Sequence, residues 1–168
     1  MANTYVLINS STVGSGGAAY ITFSSIPATY TDLKLVISGR ELGGDYVRFA
    51  LDINATGTGL GSAKYLSGNG ATASSSTLTA PDIGFGLNRA SSTASVFSNT
   101  EIYFPNYTLS RYKTITCDGV EENNATAAIS SLAVNLWSNT AAITSIKIVP
   151  VLNLAQYSTA YLYGIKNS

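Results

Sequence analysis

The chain has 168 residues, of which 45% are hydrophobic and only 11% charged, less than half the ~25% charged content usual in globular proteins. Nine basic and nine acidic side chains cancel, histidine is absent, and Cys117 is the single cysteine. This balance fits one domain with a real core; it excludes Ser-His-Asp and Cys-His catalysis, His-ligated zinc, an internal disulfide framework, and the basic footprint of a nucleic-acid or anionic-membrane binder.

Met1 to Ser10 have no positively charged segment followed by an apolar one, so no secretory signal is expected. No apolar run approaches the ~20 residues that a membrane-spanning helix needs. In chain order, residues 4–9 and 18–24 are rich in β-branched residues and tyrosine and read as strands, separated by a turn over Gly14 to Gly17. After the Ile26-Pro27 turn signal, residues 32–40 place Leu33, Leu35 and Ile37 opposite Lys34, Val36 and Ser38. Beyond Gly43-Gly44, residues 46–53 set Val47, Phe49, Leu51 and Ile53 on a core face, with Tyr46, Arg48, Ala50 and Asp52 on a wet one.

The stretch from Asn54 to Ala80 is Gly, Ser, Thr and Ala throughout, anchored by Leu60, Tyr65, Leu66 and Leu78. It reads as a long loop, with too little apolar surface to join the core. A shorter soft patch covers Asn88 to Ser95. Strands are expected again at 97–104, 111–118, 127–137, 144–149 and 159–165, with turns at Pro105-Asn106 and Asp118-Gly119. Residues 127–137 are Ala-rich but read as strand, because Ile129, Val134 and Trp137 make no helical stripe, and Pro150 marks a strand end or an edge. Short strands without crossover helices define an all-β fold: a single antiparallel β-sandwich over 1–168, jelly-roll-like.

Chemistry-bearing patterns are sparse. The carboxylates nearest loops are Asp45, Asp52, Asp82, Asp118 and Glu121, and the spacing singles out no pair for acid–base chemistry. Asp52 to Gly57 resembles the opening of a calcium loop, but Ala63 stands where its twelfth position needs glutamate. Gly57-Thr58-Gly59-Leu60-Gly61 lacks the Lys and Ser/Thr of a phosphate loop. Cys117 alternates with Ile115 and reads as a buried, inert thiol. No cofactor and no metal are expected. Tyrosine is the surplus, eleven against five phenylalanines and one tryptophan, and it favours surfaces that are apolar in body and wet at the tip. Leu60, Tyr65, Tyr103, Tyr107, Tyr112 and Tyr157 are the candidate interface residues.

Phe23-Ser24-Ser25-Ile26-Pro27, Tyr30-Thr31-Asp32-Leu33 and Ile37 to Arg40 are followed by Ile102-Tyr103-Phe104-Pro105-Asn106-Tyr107 and Leu162-Tyr163-Gly164-Ile165. In this order, over roughly residues 5 to 165, the segments resemble small virion structural proteins of tailed bacteriophages. The resemblance implies a jelly-roll-like module on a phage particle, often trimeric, with these segments as framework: Ile26-Pro27 and Pro105-Asn106 end strands, and Tyr30 and Leu33 pack at the sandwich's end. It transfers no catalytic residues, and the Asn54–Ala80 stretch departs from it in length and low charge. The expectation is a non-enzymatic capsid decoration (cement) protein, made in the host cytoplasm and carried on the virion surface. Its expected partners are copies of itself, as a homotrimer, and the major capsid protein or other virion proteins. The alternative is a tail- or head-fibre module recognising host-surface glycan. A glycan depolymerase is disfavoured by the missing histidine, and neither nucleic acid nor membrane is an expected partner.

Overall fold

Residue-by-residue alternation between buried and exposed side chains builds most of the strands. The computed structural model describes residues 4–43, 48–58, 60–78, 82–122 and 128–166. Twelve strands follow one another with no helix among the described residues: β1 (Tyr5–Thr12), β2 (Ile21–Phe23), β3 (Asp32–Ser38), β4 (Arg48–Ile53), β5 (Ser62–Gly68), β6 (Ala73–Leu78), β7 (Asp82–Phe85), β8 (Asn99–Phe104), β9 (Lys113–Glu122), β10 (Ala128–Trp137), β11 (Ile146–Pro150) and β12 (Thr159–Ile165). The alternation is clearest in β8 and β9, where Ile102, Phe104, Ile115 and Cys117 turn inward and Glu101, Tyr103, Thr116 and Asp118 turn outward.

The strands form an antiparallel sandwich of two unequal sheets. One has eight strands in the order β1-β12-β3-β8-β9-β10-β5-β6, the other four in the order β2-β11-β4-β7. Without β1, β12 and the β9–β10 hairpin, the remaining strands interleave as in a jelly roll: β2-β11-β4-β7 on one side and β3-β8-β5-β6 on the other. The β9–β10 hairpin widens the large sheet between β8 and β5, and β1 with β12 widens it beyond β3. Between the sheets lies one core, with Phe23, Phe49, Leu51, Ile53, Ile146 and Ile148 from the small sheet against Leu33, Leu35, Ile37, Ile102, Phe104 and Ile115 from the large one.

The jelly-roll reading of the sequence holds, and all nine strands expected from it are present in part or whole. Tyr46 and Val47, from the fourth of them, and Gly44 lie outside the described residues. The wet face expected on this strand is covered instead. Ala50 and Asp52 are buried, because β4 sits between β11 and β7 and the Lys147 ammonium closes over Asp52 at 3.3 Å. Pro150 ends β11, as its missing N–H requires. The turn expected at Asp118-Gly119 is not there. β9 runs through it to Glu122, because β8 and β10 pair it on both sides, with Gly119 opposite Thr100 and Ser131.

The largest correction concerns Asn54 to Ala80, read from sequence as a loop. Most of it is the β5–β6 hairpin, in register from Ala63–Leu78 to Gly68–Ala73 and hydrogen-bonded through β5 to β10. Backbone pairing compensates for the missing apolar surface, and at its base Leu60, Ala63 and Leu78 enter the core. Leu60, expected at an interface, is thus a core residue.

Several segments behind the phage resemblance meet at one end of the sandwich. The Tyr30 ring lies flat on Gly164, where a Cβ would fall 2.3 Å from the ring. Asp32 accepts the Asn106 N–H at 2.7 Å, and Asn106 takes the positive φ of 49° that the turn after β8 requires.

Truncating the core and the outer face separates the two environments. Leu35→Ala is expected to cost about 2–5 kcal/mol in denaturant unfolding. Leu66→Ser, on the outward face of β5, is expected to stay within about 0.5 kcal/mol.

Candidate interaction surface

The outward face of the eight-stranded sheet is a continuous surface that none of the other described residues covers. Strand register lays its side chains out in ranks across the strands. One rank runs Leu7, Tyr163, Lys34, Tyr103, Thr116, Val134, Lys64, Thr77 from β1 to β6. The next runs Tyr161, Val36, Glu101, Asp118, Leu132, Leu66, Ser75. Eight strands at the usual spacing span about 34 Å.

The face has two chemistries. Near β3 and β8 it is aromatic and charged. Lys34 pairs with Glu101 at 2.6 Å and lies over the Tyr5 ring, while Asp118 stands opposite Glu101. The Tyr103 hydroxyl donates to Asp32 at 2.6 Å; that bond, with burial, pushes its pKa up to about 12. Near β10 and β5 the face is apolar. Leu66, Leu132 and Val134 are each more than 40% exposed and line a shallow groove of about 430 Å³ floored by β5, β6 and β10. A second depression of about 470 Å³ adjoins it toward Asp118 and Ser130. Leu and Val left open to water side by side are the chemistry of a docking surface.

Of the sequence-derived interface residues, Tyr103 points out on this face, and Tyr65 contributes to the lining of the β5–β10 groove. Tyr107 is a core residue: its ring is fully buried and its hydroxyl donates to the Pro27 carbonyl. The tip that made it look wet is satisfied internally. Tyr65 is half-buried, with the Arg48 guanidinium 5.7 Å from its ring. Tyr112 and Tyr157 are the most exposed tyrosines of the set but sit at opposite ends of the sandwich, before β9 and before β12. The structure therefore does not gather the six into one patch. Leu7, Tyr161, Leu66, Leu132 and Val134, which form the face with Tyr103, become visible only once register is known.

The carboxylates are occupied in holding the framework. Asp52 accepts the Gly57 N–H at 3.0 Å and pairs with Lys147, while Asn54 Oδ1 accepts the N–H groups of Thr144 and Ser145. The oxygens of the calcium-like Asp52–Gly57 segment thus serve a turn. Glu41 accepts the Val151 N–H at 2.8 Å, and Glu122 holds Thr93 through its N–H and hydroxyl. In the Asn88–Ser95 patch, read as soft, the Arg40 guanidinium donates to the carbonyls of Ala90, Ser92, Thr93 and Val96. Burial pushes the Cys117 thiol up to about 12, as an inert thiol requires.

Two charges at opposite ends of β9 point into the sandwich. The Lys113 ammonium donates to the carbonyls of Leu109, Thr140 and Ala141 and lies over Trp137, and burial lowers its pKa. Glu121 is buried with neither carboxylate oxygen hydrogen-bonded. Desolvation raises it to about 8, against the lowering influence of Arg89 and Arg48. The parity of β9 carried this signal, since Lys113 and Glu121 are in phase with Ile115 and Cys117.

Compared with known proteins, the chain matches no family model, no curated sequence and no solved structure.

Glu121 makes stability depend on pH. Its folded pKa lies above its unfolded value of 4.5, so the native state holds the proton more tightly and stability falls as pH rises toward about 8. Glu41, raised by burial to about 6, adds to the fall at lower pH. Between pH 6 and 9 the loss is on the order of 3 kcal/mol, a drop in melting temperature of about 6–12 °C. Glu121→Gln is expected to flatten that interval in thermal melts.

Proposed function

We propose that the chain is a structural protein of a tailed-phage particle, a decoration protein that binds the outer surface of the capsid shell. The observation that carries this reading is the open face of the large sheet, eight strands wide and apolar toward β10 and β5. A low-charge surface of this kind contributes modestly per copy, and repetition over a lattice multiplies it. The tailed-phage resemblance of the segments meeting around Tyr30 and Asn106 supplies the class of particle. The occupation of Asp32, Asp52, Glu41, Glu101 and Glu122 in framework contacts is consistent with a binding role rather than a catalytic one.

One observation favours the second reading, a fibre module that recognises glycan. Tyr5 and Tyr103 stand beside Lys34, Glu101 and Asp118 around a depression of about 150 Å³, a set that offers both ring faces and hydrogen-bonding groups to a sugar.

Cryo-electron microscopy of intact particles separates the two. Decoration predicts copies spread over the icosahedral shell with the β10–β5 side of the large sheet against it, and loss of that density in a Leu66→Asp, Leu132→Asp variant that still folds. Density confined to the tail overturns the decoration reading in favour of the fibre.

A further inference from the structure

We infer that β6 is a docking strand for a second copy of the chain, the two β6 strands pairing antiparallel across a twofold axis. The two sheets have four edges, and three carry features that discourage a further strand. β2 is only three residues long. β7 is four residues long, and its pairing with β4 shifts register between Arg48 and Ala50. β1 is longer but breaks register with β12 between Leu7 and Asn9.

β6 carries none of these features. Its six residues, Ala-Ser-Ser-Ser-Thr-Leu, hold unbroken register with β5 and include no charge and no proline. Ala73 to Thr77 are exposed in succession, so neither face of this strand is covered by the described residues. At the hairpin tip the Asn69 N–H donates to the Thr72 carbonyl at 3.2 Å. Hydrogen-bonded and non-bonded pairs alternate from there, which directs the backbone N–H and C=O groups of Ser75 and Thr77 away from β5. Among the described residues the Ser75 N–H and C=O and the Thr77 N–H have no partner and are the groups a partner strand takes; the Thr77 carbonyl holds only a long bond from the Ser76 hydroxyl at 3.4 Å.

The chemistry of the edge favours a copy of itself. An antiparallel pair about a twofold axis offers each strand the same donors and acceptors that it presents. With no charge on β6 itself and none net on the chain, the one cation at this edge among the described residues is Lys64, whose ammonium each copy holds on its own Thr77 hydroxyl. Ser and Thr side chains can hydrogen-bond across the new pair. The product is a continuous sheet of doubled width, with the Leu66–Leu132 patch of each copy flanking the junction. The inference stands independently of what the open face binds.

Sedimentation velocity over a concentration series from micromolar upward tests it on the full chain. The wild type is expected to pass from monomer to dimer. Ser75→Pro, which removes an outward N–H, and Ser75→Lys, which sets like charges near the axis, are each expected to weaken dimerisation at least about tenfold with the melting temperature retained. If the proline variant fails to fold, the lysine variant carries the comparison. Amide exchange at Ser75 and Thr77 should slow as concentration rises. A wild type that stays monomeric, or one whose dimer or trimer is indifferent to the substitutions that fold, overturns the inference.

Discussion

Side chains alternate across a strand, so every sheet presents two surfaces, and a sandwich buries only the inner one of each. Here the two sheets are unequal, and the four-stranded sheet must cover eight. It covers the middle of the large sheet well, where Leu33, Leu35, Ile102, Phe104 and Ile115 have no exposure. At the β6 edge it does not reach, and Ala73 to Thr77 run beyond the core exposed in succession. The outward face is left uncovered by the other described residues. The large sheet therefore does two jobs: half of its side chains make the fold, and the other half are left for contact.

That division explains how so few charges are placed. Arg40 and Lys113 satisfy loop carbonyls, and Asp32, Asp52, Glu41 and Glu122 receive backbone or hydroxyl donors. Each ties a connection to the sandwich, leaving the open face mainly to Tyr, Leu, Val, Ser and Thr. Glu121 is the exception, a buried carboxyl without a hydrogen bond, and it makes the native state sensitive to mildly alkaline pH.

The strands legible in the sequence are those with one dry and one wet face, such as 32–38, 99–104 and 146–150. β6 is illegible for the same physical reason that makes it interesting: Ser74, Ser75 and Ser76 alternate nothing, since both sides meet water. β5 is held by its pairing with β10, a long-range interaction that composition does not encode. Residue type does not reveal the places of Leu60 and Tyr107, because a buried loop leucine and an internally bonded tyrosine hydroxyl are set by tertiary packing. The open face needs register as well as alternation: Leu66 of β5 and Leu132 of β10 are neighbours only because the pairing sets them opposite one another.

Under the proposed function, the outward face of the large sheet is the surface that binds a phage particle. Hydroxyl-radical footprinting of the free and particle-bound protein addresses it directly, because the relevant side chains react readily and are exposed in the free chain. Protection on binding should fall on Leu66, Leu132 and Val134, while Tyr112 and Tyr157 at the ends of the sandwich stay reactive. Protection of Tyr112 or Tyr157 with the sheet face unchanged would contradict the account.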